Sequence, residues 1–254
     1  PISHFELIGG VTTPVPTYSP SNMQYHNGRV YMSASDGNYS ATTYDVYNTD
    51  GSVSFKLTDM AWQQEVGILH FDDANQLVYI AGYYRDALGA NAPTDTNFGR
   101  QLWVVDVSAG WTTANIPVRL TNGASTSLYG DPEGTSPSNM AMYNGTLYFF
   151  GTDDTLGNEL YSTDGTALGT GVFADINPGP ASSGWSVPYV IDAGLVFAAD
   201  DGVTGMEMWL YDDSLPFPTA PIADTVAGIY PQGDGSPSWV TPVGSRRVAY
   251  RYGR

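Results

Sequence analysis

The residues that could do chemistry in this chain are mostly aspartates at recurring positions. Asp36, the pair Asp153 and Asp154, and the pair Asp200 and Asp201 each follow a strand-like segment of one repeating type, and Glu159 and Glu207 open the segment after it. Such carboxylates gathered at one rim would suit Ca²⁺, a hard cation that takes about six to eight oxygens. The competing reading is that Asp and Gly serve here as ordinary turn residues, hydrogen-bonding their own backbone. No EF-hand loop and no GGxGxD calcium repeat is present, so no cofactor is expected, with calcium the one ion the pattern admits.

Aromatic residues form the second group. Sugar rings stack on exposed indole faces. Trp62, Trp111, Trp185 and Trp239 lie near strand starts or loops, where they could serve a glycan, whereas Trp103 and Trp209 occupy a strand position that reads as packing between sheets. A glycosidase needs two carboxylates about 5 to 10 Å apart, but nothing in the spacing of the 26 acidic residues singles out a pair. No catalytic residue is therefore assigned. His4, His26 and His70 are dispersed, without HxxxH or HExxH spacing, and no GxSxG elbow or phosphate-cradling glycine loop occurs. Two N-glycosylation acceptors are present, Asn38-Tyr39-Ser40 and Asn144-Gly145-Thr146; Asn144 falls in a tight hairpin, which leaves Asn38 the better acceptor.

The elements that must position these residues are short runs of aromatic and β-branched residues bounded by Gly, Asn, Asp and Pro, with no 3.6-residue periodicity. The chain reads as all-β, and it repeats. The block SPSNMQYHNGRVYMSASD (19–36) returns as SPSNMAMYNGTLYFFGTD (136–153), identical at nine of eighteen positions. Its Asn-Gly pairs predict two-residue hairpin turns, since both residues take positive φ readily. Four strands per repeat of roughly 40 to 50 residues point to a β-propeller. The blades are expected at about 19–60, 61–123, 136–179, 182–228, and 235–254 joined by 1–10, which makes one five-bladed domain over the whole chain. Residues 85–99, rich in Pro, Asn and Asp, read as a surface insertion. The ring is expected to close by pairing Ile2–Ile8 with Arg247–Tyr252 in the last blade, abolishing exposed edges. That blade would hold only three strands, which leaves an edge through which copies could associate.

The stretch GNELYSTDGTALGTGVFADINPGPASSG (157–184) resembles the ELWxxDGT repeat of exported bacterial proteins, with consensus GxELWxTDGTxxGTxxVxDIxPGxxSS. Glu159, Leu160, Asp164, Gly165, Thr166, Gly169, Thr170, Asp175, Ile176, Pro178, Gly179, Ser182 and Ser183 fall on the pattern, with Tyr161 in place of Trp. Weaker copies, GMEMWLYDD (205–213) and GRQLWVVD (99–106), keep the Trp and lose the DGT. The resemblance implies a propeller-like secreted or cell-surface protein of adhesive or structural type.

Composition is consistent with an extracellular setting. Nine basic against 26 acidic residues give a net charge of −17, which repels nucleic acid and anionic membranes. Cysteine is absent, so no disulfide framework or thiol chemistry is available. No apolar run approaches the roughly 20 residues that cross a bilayer, and the start at Pro1 reads as a mature or excised product. Together these features predict a non-catalytic structural or adhesive propeller of a surface, sheath or filament. A glycan-binding, lectin-like propeller is the alternative, and a carbohydrate-active enzyme a further one.

Overall fold

The computed structural model describes residues 3–8, 11–16, 18–35, 45–49, 54–56, 68–85, 97–110, 117–123, 134–214, 216, 237–242 and 248–252. Among them every regular element is a strand and every pairing is antiparallel. The chain divides into two compact units, Pro1–Ser136 and Pro137–Arg254.

In the first unit, β1 (Ser3–Ile8) and β2 (Val11–Pro16) form a hairpin. A four-stranded meander follows: β3 (Tyr18–His26), β4 (Arg29–Ser35), β5 (Asp45–Thr49) and β6 (Ser54–Lys56). A second meander comprises β7 (Ile68–Asp72), β8 (Leu77–Arg85), β9 (Asn97–Asp106) and β10 (Val118–Arg119). The second unit holds β11 (Ser138–Tyr143), β12 (Thr146–Asp153), β13 (Gly157–Thr163) and β14 (Gly171–Ala174), again in sequential order. Then come the three-stranded β15 (Tyr189–Ile191), β16 (Gly194–Asp200) and β17 (Met206–Tyr211), and the hairpin of β18 (Pro237–Pro242) and β19 (Val248–Tyr252).

This is an all-β fold of successive antiparallel meanders. The two Asn-Gly turns form as the sequence dictates, with φ of 46° and 77° at Asn27 and Gly28, and 47° and 78° at Asn144 and Gly145. Cores lie between consecutive sheets. Tyr31 and Val46 of one meander bury against Val78, Ile80, Trp103 and Val105 of the next. In the second unit Phe150 and Leu160 pack on Leu195, Phe197, Trp209 and Tyr211. Trp103 and Trp209 are thus packing residues, and the Trp209 indole donates to the Ala199 carbonyl at 3.0 Å.

Two expectations differ from what the strands do. Among the described residues the expected pairing of Ile2–Ile8 with Arg247–Tyr252 is not found: β1 is hydrogen-bonded to β2, from Ser3↔Pro16 to Ile8↔Val11, and β19 to β18. The reason is local. Only Gly9-Gly10 separates β1 from β2, so that hairpin closes at small entropy cost. Residues 11–16, to which the sequence reading assigned no strand, form β2. The fourth strand expected at Pro221–Val226 lies outside the described residues.

Candidate functional site

One position recurs in the third strand of each meander, and it explains the most acidic part of the repeat. Register places Asp45, Gln101, Glu159 and Glu207 opposite Ala34, Gly82, Gly151 and Ala199 of the second strands. The small partner leaves room for a polar side chain turned inward, and Gln101, Glu159 and Glu207 are all buried. Glu159 accepts from the Ile176 amide at 2.7 Å and the Ser183 amide at 3.0 Å, one on each carboxylate oxygen. It latches the loop after β14 onto β13. Gln101 does the same in the first unit, accepting from the Thr121 and Thr135 hydroxyls at 2.6 and 2.9 Å and donating to the Gly123 carbonyl at 2.8 Å.

Burial pushes the Glu159 carboxyl up to about 7, against the lowering effect of its amide and hydroxyl donors. Because its folded value lies above the unfolded one of 4.5, its contribution to stability is complete below pH 4.5 and is lost as pH rises through 7. Urea unfolding at pH 5, 6, 7 and 8 should show stability falling by on the order of 3 kcal/mol, a slope that disappears in Glu159→Gln. Equal slopes in the two proteins would remove Glu159 as the source.

The aspartates singled out by sequence serve their own turns where they are described. Asp153 accepts from the amide and hydroxyl of Thr155, Asp200 from the Gly202 amide, and Asp201 from the Val203 and Thr204 amides. These bonds hold Asp153 below the usual carboxylate range. Asp154 adjoins Asp153 at the end of β12. Among the described residues no three His, Cys, Asp or Glu side chains gather into a metal-binding group. Asp164 and Thr166 of the DGT string are likewise spent within one turn, where Asp164 accepts from the Thr166 amide and hydroxyl, and Thr166 from the Gly169 amide.

Trp185 is 65% exposed, and its carbonyl accepts from the Asn139 side-chain amide. Trp239 lies in β18. The Asn144 side-chain nitrogen, the atom a glycan would take, donates to Asp213 at 2.8 Å. Asp36, Asn38, Trp62 and Trp111 lie outside the described residues.

The site that sequence reading missed is a cleft of about 320 Å³ between the two meanders of the first unit. β3 contributes His26, the turn after it Asn27, β4 Tyr31, β7 Phe71 and Asp72, and the turn after β7 Asp73. The rings make an apolar wall. His26 stacks on Phe71 with centroids 4.0 Å apart and planes 6° from parallel, and Tyr31 tilts onto Phe71 at 4.6 Å. Burial raises the Tyr31 hydroxyl to about 12, Arg29 opposing and Asp73 reinforcing the rise, so it stays a neutral donor. Beside the wall, Asp73 Oδ1 is 2.8 Å from His26 Nε2 and accepts from Asn27 Nδ2 at 3.0 Å. Asp72 is committed to its turn, accepting from the amides of Ala74 and Asn75 and from the Asn75 side chain. Beneath the site, burial holds His70 below the usual imidazole value, with Asp72 opposing and His26 adding to the fall. Flat apolar rings beside a carboxylate, an amide and the Arg29 guanidinium match a ligand with one apolar face and a rim of hydroxyls. The signal available beforehand was the ring preceding Asn-Gly in both block copies, His26 and Tyr143; the partner Asp73 comes from 46 residues away, where spacing is silent.

No protein-family model and no curated protein matches the chain. Among solved structures, Pyrococcus horikoshii acylaminoacyl peptidase is similar with a TM-score of 0.44 at 13% identity, over 76% of this chain and 26% of that one. An exo-β-1,3-galactanase from Phanerochaete chrysosporium gives 0.40 at 15% identity, over 77% and 45%. An endo-arabinase from Bacteroides thetaiotaomicron gives 0.39 at 13%, over 81% and 77%. The chain spans less than half the length of the first two. All three are enzymes by name, and on that finding the expectation of a non-catalytic structural or adhesive module, with no enzymatic activity, is corrected. The physical reason is that repeat grammar specifies a scaffold, and a scaffold does not fix function.

Proposed function

We propose that this protein is a carbohydrate-active enzyme on a propeller-type scaffold, and that the cleft of Tyr31, Phe71 and His26 holds the saccharide. The observation carrying this is the pairing of a stacked aromatic wall with the Asp73 carboxylate and the Asn27 amide in one cavity. Asp73, with the His26 imidazole beside it, is the proposed proton-transfer group at the glycosidic oxygen. In the same reading the 157–184 repeat is of the ELWxxDGT type, the meanders are blades of one five-bladed ring, and the protein works outside the cell.

The test is release of reducing ends from a polysaccharide panel that includes β-1,3-galactan and arabinan. Asp73→Asn should lower turnover at least about 100-fold, the scale of a lost acid–base group, without changing the unfolding midpoint by more than about 3 °C. Absence of turnover on every polymer, together with absence of oligosaccharide binding in calorimetry, would sink the proposal.

A second reading, lectin-like glycan binding, is favoured by one observation. Asp72 is held by three bonds within its own turn, which leaves Asp73 as the carboxylate open to a ligand, while glycoside hydrolysis ordinarily uses two. Binding without turnover is its signature.

A further inference from the structure

Trp185 is an exposed indole that the second unit holds still. The holding group is Asn158, which is buried in β13 and takes hold of four successive residues. Its amide donates to the Ser182 hydroxyl at 3.0 Å, and its carbonyl accepts from the Ser183 amide at 2.9 Å and the Ser183 hydroxyl at 3.0 Å. Its side-chain nitrogen donates to the Gly184 carbonyl, and its side-chain oxygen accepts from the Trp185 ring nitrogen at 3.2 Å and from the Thr152 hydroxyl at 3.0 Å. The Trp185 carbonyl is tied as well, to the Asn139 side-chain nitrogen at 2.6 Å. The residue before the Glu-Leu-Tyr or Glu-Met-Trp string is Asn only here; GMEMW has Met206 and GRQLW has Arg100 in that place.

A surface side chain ordinarily keeps its rotamer freedom, because fixing it costs entropy. At Trp185 folding has already removed that freedom, so a partner lying on the ring has little left to order. The indole meets the protein along its nitrogen edge, and most of the residue stands in water.

Size and charge decide what suits it. The exposed part of one indole is on the order of 150 Å², and Val187, the nearest exposed apolar residue in sequence, adds less. A stable protein interface takes about 800 Å² from each partner, several times what this patch offers. A sugar ring fits the area: its C–H face is apolar, and its hydroxyls project at the rim, where Asn139 stands. Twenty-six acidic residues against nine basic ones make the chain repel polyanions, and Asp153 and Asp154 directly follow Thr152.

We propose that Trp185 is a docking platform for an uncharged polysaccharide, built from none of the cleft residues, which holds the polymer by one stacked ring. For its ligand class the platform rests on the carbohydrate reading above, to which it adds a second contact.

Affinity electrophoresis of the whole chain through gels containing arabinan, β-1,3-galactan or polygalacturonate tests this. At least one of the two neutral polymers should retard the protein, and polygalacturonate should not. Trp185→Ala should weaken that retardation at least about tenfold in dissociation constant, with an unfolding midpoint within about 3 °C of the unaltered protein. Trp185→Phe, which keeps an aromatic face, should recover most of the loss, and Asp73→Asn should leave retardation as it is. Equal retardation of Trp185→Ala and the unaltered protein, retardation by polygalacturonate as strong as by the neutral polymers, or no retardation of a protein that still releases reducing ends overturns the platform and leaves the carbohydrate reading standing. Absence of both retardation and release removes the two together.

Discussion

Glu159→Ala should lower the stability of the second unit by about 4 kcal/mol, seen as a fall of roughly 15 °C in its unfolding midpoint. The substitution removes the acceptor of the Ile176 and Ser183 amides at once. Glu159 is fully buried, Ser183 likewise, and Ile176 nearly so, so water cannot replace what is lost: the stranded Ile176 amide costs about 1 to 3 kcal/mol, the Ser183 amide keeps the Asn158 carbonyl as its acceptor, and the space the side chain vacates adds the rest. The loop from Asp175 to Ser183 loses its attachment to β13 at two of its anchoring points. A third remains, the Ser183 amide and hydroxyl on the Asn158 carbonyl, so the loop should become exchange-competent while β13 itself stays protected. Hydrogen exchange read residue by residue separates the two. A midpoint change under about 4 °C would show that Glu159 does not hold the loop.

Gly194→Ala should be at least as damaging, about 4 kcal/mol. Gly194 has φ of 137°, a region that residues with a Cβ essentially do not enter, and an added methyl would collide with the Tyr211 carbonyl of the paired strand. That carbonyl belongs to the β16–β17 ladder, where Leu195 faces Tyr211, so relief would require opening the sheet beside the Phe197–Trp209 core. Gly145→Ala is the comparison. Its φ of 78° is also positive, but nothing lies within 4 Å of the new carbon, so the loss should be only about 1 kcal/mol. Denaturant midpoints of the two variants should therefore differ severalfold in their shifts. Equal shifts would assign both effects to backbone conformation and none to the collision.

Much of the scaffold was legible because its determinants are local. Asn27-Gly28 and Asn144-Gly145 announce their turns, and the alternating strands on either side follow within a residue or two of expectation. Closure was not legible, because it depends on contacts between distant ends of the chain that no local spacing encodes, whereas Gly9-Gly10 encodes only the hairpin of β1 with β2. Glu159 illustrates a different difficulty. Its recurrence at strand starts read as a rim of carboxylates open to a cation, but the glycine and alanines across the ladder admit the side chain inward, and that is visible only once register is known. The cleft depends on residues 46 apart in the chain, Asn27 and Asp73, and no local spacing announces that meeting.

The Glu159 latch is completed within 25 residues of the chain, from Glu159 through Ser183, and Gln101 completes its counterpart within 35. A segment that satisfies its own buried polar groups can be copied, shuffled or lost by recombination without leaving unmet bonds in its neighbours. Such cassettes tolerate transplantation, and that portability gives one route by which a single blade keeps a sharp signature while sister copies wander toward new ligands.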